Sequence, residues 1–595
     1  MNSIFKYTLA FAATAMLVTA CSSDEPGSNE PVFTGESAYM NVQLRAAEDL
    51  SRAGEGTDDG NPSTDDLEYG KENENSINSA KFFFFNSDGI YYGQSTIWKD
   101  GIEGSTGTEP SIEFNGNAVV ILDNLKEGGV LPEYVITVLN GGAQYTDAYM
   151  SGKTIKEFSK DITNWGADKE NGFVMATTSY YDGTAEHDKY PYATKLTNDN
   201  FSATKEAAIA NGKPVEIYVE RLAARVKLST PTGQEFFPVD VTVMGDVNGE
   251  VTEPDADHPT AGTQLYVKID GWYISGVQEQ TYLSKQFGDW TSATSLNDVN
   301  GWKWNVPTFH RSFWGQSVGY GKQTEGGLRF FTFDNPNNKT VGQVAYCNEN
   351  TSTKANLSTG TPAHPNQRLV TSVLVKATVV DKDKKALNLV EHNGMYFTYE
   401  RFIAYILDIV NSQNKLNYYT RTGAGTEGDP YKYHQIAQED GKEIFRLGGA
   451  NEHVYVEKGK DFPTAQLYAY NNTTMDYDAV TETTLNADLK AANAGESTHA
   501  FQGGRMYYNI PIEHLNTRTW DEKHNLATWY EGSFGVVRNH AYTVNVTSVK
   551  KLGTGVFKPN EGEIKPNENQ KDPRWYLGAT IKVVSWKVVT SDVPL

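Results

Sequence analysis

Cysteine is almost missing from this chain. Its 595 residues include only Cys21 and Cys347, which excludes a disulfide framework and a cysteine-built metal site. Positive charge is also scarce. Against 75 Asp and Glu there are 52 Lys and Arg, for a net charge of −23, and so acidic a chain repels a phosphate backbone instead of neutralising it. Nucleic acid is therefore excluded as a partner. Long apolar runs are lacking too: residues 7–20, behind Lys6, fall short of the roughly 20 residues a membrane-spanning helix needs. The 11 histidines are scattered without an H-E-x-x-H, and Asp381-Lys382-Asp383 has neither the spacing nor the glycine of a calcium loop, so neither a metal nor another cofactor is expected. What is present is 38% hydrophobic and 12% aromatic residues, enough for two or more ordinary cores.

The apolar run ends in Leu17-Val18-Thr19-Ala20-Cys21, small residues leading to a cysteine, which looks like the lipobox cut by a lipoprotein signal peptidase. Residues 1–20 then read as a signal peptide, and Cys21 as the lipidated first residue. Ser22-Ser23-Asp24-Glu25 resembles the signal that sends lipoproteins to the outer face of an outer membrane. The acyl chains would be the sole anchor.

Beyond this leader, period-2 alternation dominates. Ala38, Met40, Val42 and Leu44 alternate with Tyr39, Asn41, Gln43 and Arg45, predicting a half-buried strand, and residues 52–62 follow as a loop rich in turn formers. Short β-branched or aromatic runs recur at 81–85, 118–122, 134–139, 215–228, 239–244 and 265–269. Helical periodicity is confined to 399–410, with Phe402, Ile403, Ile406, Ile409 and Val410 on one stripe, and to 484–492. The expected fold is mostly β: two transthyretin-like β-sandwich domains in tandem with a few short helices, divided near Pro231-Thr232-Gly233 into 53–231 and 232–553. Residues 554–573 read as an extended, mobile linker before a last strand at 576–589. In that strand Leu577, Ala579, Ile581 and Val583 share one face, then Val584, Trp586 and Val588 take the other. The phase change predicts a bulge or a strand serving two successive grooves.

Motifs for chemistry fail on context. Gly315-Gln316-Ser317-Val318-Gly319 spells a nucleophile elbow, but no helix start follows; Gly321-Lys322 is followed by Gln323 and makes no phosphate loop. His310 and His540 read as partnered structural histidines, and Cys347, with no activating basic neighbour, as a small buried hydrophobe. The aromatics Trp272-Tyr273, Trp290, Trp302, Trp304 and Trp314 suit core packing or, alternatively, a sugar-stacking platform on a monomeric or tip adhesin. No catalytic residue is expected.

Seven stretches, in order, carry a resemblance: Ala38-Tyr39-Met40, Ser51-Arg52-Ala53-Gly54, Val219-Glu220-Arg221-Leu222-Ala223-Ala224-Arg225, Gln280-Thr281-Tyr282-Leu283-Ser284-Lys285, Gly535-Val536-Val537-Arg538-Asn539-His540, Ser548-Val549-Lys550-Lys551-Leu552-Gly553 and Val583-Val584-Ser585-Trp586-Lys587. Together they resemble the fimbrillin superfamily of Bacteroidetes-type (type V) pili, and within it the major subunit of the short fimbriae. The resemblance implies a pilus subunit, not an enzyme. An Arg-specific protease would cut the lipidated precursor between Arg52 and Ala53, with Arg45-Ala46 as the competing bond. Loss of propeptide 21–52 would remove the strand bearing Ala38, Met40, Val42 and Leu44 and empty a groove. The C-terminal strand of another copy, using Leu577, Ala579, Ile581, Val583, Val584, Trp586 and Val588, would fill it by donor-strand exchange. Implied partners are further copies, anchor, accessory and tip pilins, and a host or bacterial surface ligand, with adhesion and biofilm formation as the outcome. Residues 1–52 hold three basic and six acidic residues, so −20 of the charge stays with the mature chain.

Overall fold

The computed structural model describes residues 37–46, 67–69, 74, 77–98, 117–123, 125, 130–163, 172–180, 189–211, 214–247, 250–251, 263–287, 305–306, 311–312, 314–320, 327–351, 367–412, 418–437, 441–493, 498–514, 519–521, 526–528, 534–566 and 577–587. The signal peptide, Cys21, Arg52, Ala53, Trp290, Trp302, Trp304, His310 and Val588 lie outside them.

The described chain is mostly β, as expected, with a few short helices. Its first sheet takes β1 (Ser37–Ala46), passes over β2 (Leu67–Tyr69), and collects β3 (Ser79–Phe85), β4 (Tyr91–Trp98), β5 (Asn117–Asp123), β6 (Tyr134–Leu139), β7 (Met175–Thr177), β8 (Phe201–Ser202) and β9 (Val215–Arg221). The order is β8–β1–β9–β7–β6–β3–β4, with β5 on the other edge of β1. In β3, Phe82 to Phe85 follow one another without alternation, and a strand can hold such a run only where both its faces are covered. Phe82 and Phe84 enter a core shared with β1 and β9, while Phe83 and Phe85 enter another to which Leu283, Phe287, Trp314 and Val537 come from beyond the first sheet.

The second domain is a sandwich of two five-stranded sheets. One is ordered β2–β22–β20–β10–β13, where β10 is Ala223–Ser229, β13 Val344–Asn348, β20 His540–Val549 and β22 Leu577–Lys587. The other is β11–β12–β14–β19–β21, where β11 is Phe236–Val241, β12 Thr263–Ser275, β14 Ser372–Val380, β19 Arg505–Pro511 and β21 Thr554–Gly555. Val226, Leu228, Phe237, Val267, Trp272, Val375, Tyr508 and Val544 fill the space between them. Between β14 and β19 lies a further unit with its own core. Helix α1 (Tyr399–Ser412) buries Phe402, Ile403, Ile406 and Val410 on its stripe, α2 (Glu482–Ala492) buries Leu485 and Leu489, and both lie against a sheet of β15 (Tyr418–Thr422), β16 (Lys432–Gln435), β17 (Leu467–Asn471) and β18 (Asp476–Val480). Both helices fall where periodicity placed them; the separate core they build was not foreseen.

Three expectations change. The run 215–228 is two strands: the chain leaves the first sheet at Arg221 and enters the second domain at Ala223, so the domains meet at Leu222 and not near residue 231. Pro231-Thr232-Gly233 instead forms the turn between β10 and β11, with Gly233 at φ 79° and the Gln234 amide donating to the Pro231 carbonyl. The linker expected at 554–573 is strapped down over its first half. There β21 pairs with β19, Val556 and Ile564 are buried, Ile564 bridges Phe331, and the Asn451 side chain accepts from the amides of Phe557 and Lys558. Apolar anchors and a half-buried asparagine outweigh the polar composition that suggested mobility.

Around Leu222 the two domains are joined by charge. Lys285 Nζ lies 3.0 Å from Glu220 and donates to the Ser312 carbonyl, while Arg538 Nε lies 3.2 Å from Glu349 and the same guanidinium donates to Thr281 and to the carbonyls of Tyr282 and Leu283. Arg221 donates to the Glu74 carbonyl and to Asn539, and Arg225 lies 3.3 Å from the Glu74 carboxylate. All seven charged side chains are buried. Burial lowers the Lys285 ammonium pKa, with Glu220 and Glu349 pulling it back.

Removing one partner of such a pair strands the other in a dry site. Glu349→Gln is therefore expected to cost about 3–5 kcal/mol, read as a fall in the urea midpoint of the second domain; an unchanged midpoint would refute that role for the pair. Cys347 gives a second expectation: burial pushes its thiol up to about 12, so in a Cys21→Ser chain at pH 8 a thiol reagent should label nothing until denaturant is added.

Candidate functional site

Among the described residues, no side chains converge on a catalytic arrangement at the motifs singled out above. Ser317 is buried, and its hydroxyl accepts from the Thr351 amide while the Thr351 hydroxyl accepts from Ser317, so it is a loop tie and not a nucleophile. His540 is buried with Nδ1 2.9 Å from the Arg538 carbonyl, a partnered structural histidine as read. Trp272 and Trp314 are 0% and 1% exposed, which removes them from any sugar platform. The features that remain are the first strand and the last.

β1 is an interior strand. Along one edge it runs antiparallel to β5 from Ser37↔Asp123 to Gln43↔Asn117; along the other it pairs antiparallel with β8 at Tyr39 and Met40, then parallel with β9 from Val42↔Val215 to Ala46↔Val219. The predicted alternation holds: Ala38, Met40, Val42 and Leu44 are 0–3% exposed and sit among Phe82, Phe84, Val120, Leu122, Phe201 and Ile217. At about 1.5–3 kcal/mol each, the four contribute on the order of 10 kcal/mol, an upper figure before chain ordering is charged against it. Arg45 lies at the end of this ladder opposite Tyr218, with its guanidinium 2.7 Å from Glu216. A protease that needs an extended, unpaired backbone meets there a bond already held in the sheet.

β22 lies in its own chain. It runs antiparallel to β20 from Val549↔Leu577 to His540↔Ser585, and β2 joins its far edge in parallel at Leu67↔Ser585 to Tyr69↔Lys587. Leu577 is buried and Ala579 packs on the second-domain core, while Ile581, Val583, Val584 and Trp586 hold register positions opposite Val544, Tyr542, Ala541 and Glu68. The bulge expected at Val583-Val584 is not there, since the ladder passes through both residues in step. The irregularity sits in the partner strand, between Val546 and Ser548, opposite Gly578. A Cβ on Gly578 would stand 2.2 Å from the Ser548 hydroxyl, and the Thr547 hydroxyl donates to the Gly578 carbonyl, so the glycine admits the extra residue of β20.

Three of the stretches that carried the resemblance meet in space. Glu220, Arg221, Arg225, Lys285, Arg538 and Asn539 come from them and build the buried charge cluster at the domain junction. Glu74 and Glu349, which complete it, were missed because a single glutamate between turn formers carries no periodic signal.

Residues 499–592 match the family model described as the C-terminal region of fimbrillin, the major fimbrial subunit protein type IV. The match takes in β19 to β22, and so both the last strand and the strand that holds it. No curated protein matches the sequence. Among solved structures, the chain is similar to a protein assigned to cell adhesion from Parabacteroides distasonis (11% identity, 93% of this chain and 98% of that one, TM-score 0.35). It is similar also to a fimbrillin, FimA, from Porphyromonas gingivalis (12%, 93% and 98%, TM-score 0.31) and to the tip fimbrial protein Mfa3 of that organism (10%, 92% and 100%, TM-score 0.30). Superpositions this loose carry no argument about function, and the assignment rests on the C-terminal match. On that match the C-terminal region of the chain, residues 499–592, is similar to the C-terminal region of the fimbrillins, the major fimbrial subunit proteins.

Proposed function

We propose that this chain is a shaft subunit of a surface fimbrium, exported as a lipoprotein on Cys21, cut after Arg52, and polymerised by insertion of β22 of one copy into the slot left by β1 of the next. The observation that carries this reading is the position of β1: an interior strand with four buried side chains, and among the described elements the one that precedes Arg52. Cutting there severs β1 without touching another described strand. An emptied slot presents unpaired N–H and C=O groups on both rims over an apolar floor, which favours strand addition. Because the contact is head-to-tail and does not close, it propagates as a filament. The slot is filled and β22 is paired at home in the uncut chain, so the precursor is a closed store of subunits. Anchor, accessory and tip pilins would bound the filament, which would serve adhesion and biofilm formation.

Cleavage of the purified precursor by an Arg-specific protease should give a ladder of denaturant-resistant oligomers, while Arg52→Ala stays monomeric and deletion of residues 577–595 gives cut but monomeric chains. A ladder that persists in the deletion, or its absence after confirmed cleavage at Arg52, would overturn the exchange. A second test weighs β1 itself. Met40→Ala should cost the first domain of the uncut chain about 2–5 kcal/mol, read as a fall in its urea midpoint; an unchanged midpoint would mean that β1 does not hold that core together.

A further inference from the structure

The sheet of β15–β18 buries one face and shows the other. Tyr418, Leu467 and Ala469 point into the core with α1 and α2, and Tyr418 donates to Asp488 across it. Residues opposite one another in the ladder share a face. The pairs Tyr419↔Tyr468, Tyr419↔Gln435, Arg421↔Tyr433 and Tyr470↔Tyr477 therefore set five tyrosines and one arginine together on the outward side. Their rings are interlocked. Tyr433 and Tyr477 stack 3.7 Å apart at 7°, with Tyr468, Tyr419 and Tyr470 set edge-on around them at 4.9–5.4 Å. Tyr431, 46% exposed, stands over Gly425 in the β15–β16 turn, where a Cβ would collide with its ring, and that turn is tied by Asp429 to the Ala424 and Gly425 amides. The guanidinium of Arg421 is held between Tyr431 at 3.9 Å and Tyr468 at 4.5 Å.

Among the described residues no carboxylate pairs with Arg421, although acidic residues outnumber basic ones in this chain by 75 to 52. A guanidinium clamped between two rings has its rotamer fixed and its N–H fork free for a planar anion. Rings held by one another and by a tied turn form a rigid floor with hydroxyls at its rim, which suits the C–H face of a pyranose and its equatorial hydroxyls better than a flexible chain. We infer that this tyrosine face is a binding site for a carboxylated sugar, whose ring lies on the Tyr431–Tyr433–Tyr477 surface and whose carboxylate pairs with Arg421. The face belongs to a sheet separate from those of β1 and β22, so the site is independent of assembly.

The test is saturation-transfer NMR and calorimetry on the full chain with 3′-sialyllactose, uncharged lactose, and hexaglutamate as an acidic peptide. Saturable binding of sialyllactose, weaker binding of lactose and none of hexaglutamate is expected. Arg421→Gln should weaken sialyllactose about tenfold or more and leave lactose unchanged, whereas Tyr433→Ala should weaken both. An unaltered thermal midpoint checks that each variant is folded. Absence of sialyllactose binding by the parent chain, equal binding by Arg421→Gln, or capture of hexaglutamate in place of the sugar would each overturn the assignment.

Discussion

The ion cluster at Leu222 is the constraint on which the two ends of the molecule depend. Three glutamates and four cations lie out of water there, and buried pairs of this kind commonly add little net stability over apolar replacements. Their value is geometric. Arg538 can satisfy Glu349, Thr281, Tyr282 and Leu283 in one arrangement only, and Glu74 holds Arg221 and Arg225 from either side of the crossing. The strand before the crossing, β9, is a rim of the β1 slot; the strand after it, β10, is the neighbour of β20, which carries β22. The first strand and the last are thus tied to the same joint, one through β9 and the other through β20 and β10.

The apolar interior of the first domain reinforces that joint from the other side. Four consecutive phenylalanines in β3 knit the core under β1 to the core shared with the second domain, so a change beneath the slot is felt on the sheet's far face. The helical unit that bears the tyrosine face has its own core and is spared this coupling. The tyrosine face and the strands β1 and β22 therefore lie on different sheets of the chain.

Much of this was legible in the residues. Alternation along β1 and the stripe on α1 give face and period directly, because each has one wet side and one dry side. The run 215–228 misled for a physical reason. Both β9 and β10 are interior strands, so their apolar pattern continues through Leu222 while the chain changes sheets. The polar stretch after Thr554 misled because two apolar side chains and one asparagine suffice to hold a dozen polar residues. The tyrosine face gave no sign because its members come from four strands spread over sixty residues, and only the pairing brings Tyr419, Tyr433, Tyr468 and Tyr477 together.

The mixed pairing of β1 has a consequence for polarity. One rim runs against it and the greater part of the other runs with it. A strand laid between these rims in either direction meets one parallel and one antiparallel neighbour, and the two modes differ little in backbone energy. Within β1 itself the core-facing side chains grow from small Ala38 at one end to broad Leu44 at the other, so its packing is not the same from end to end.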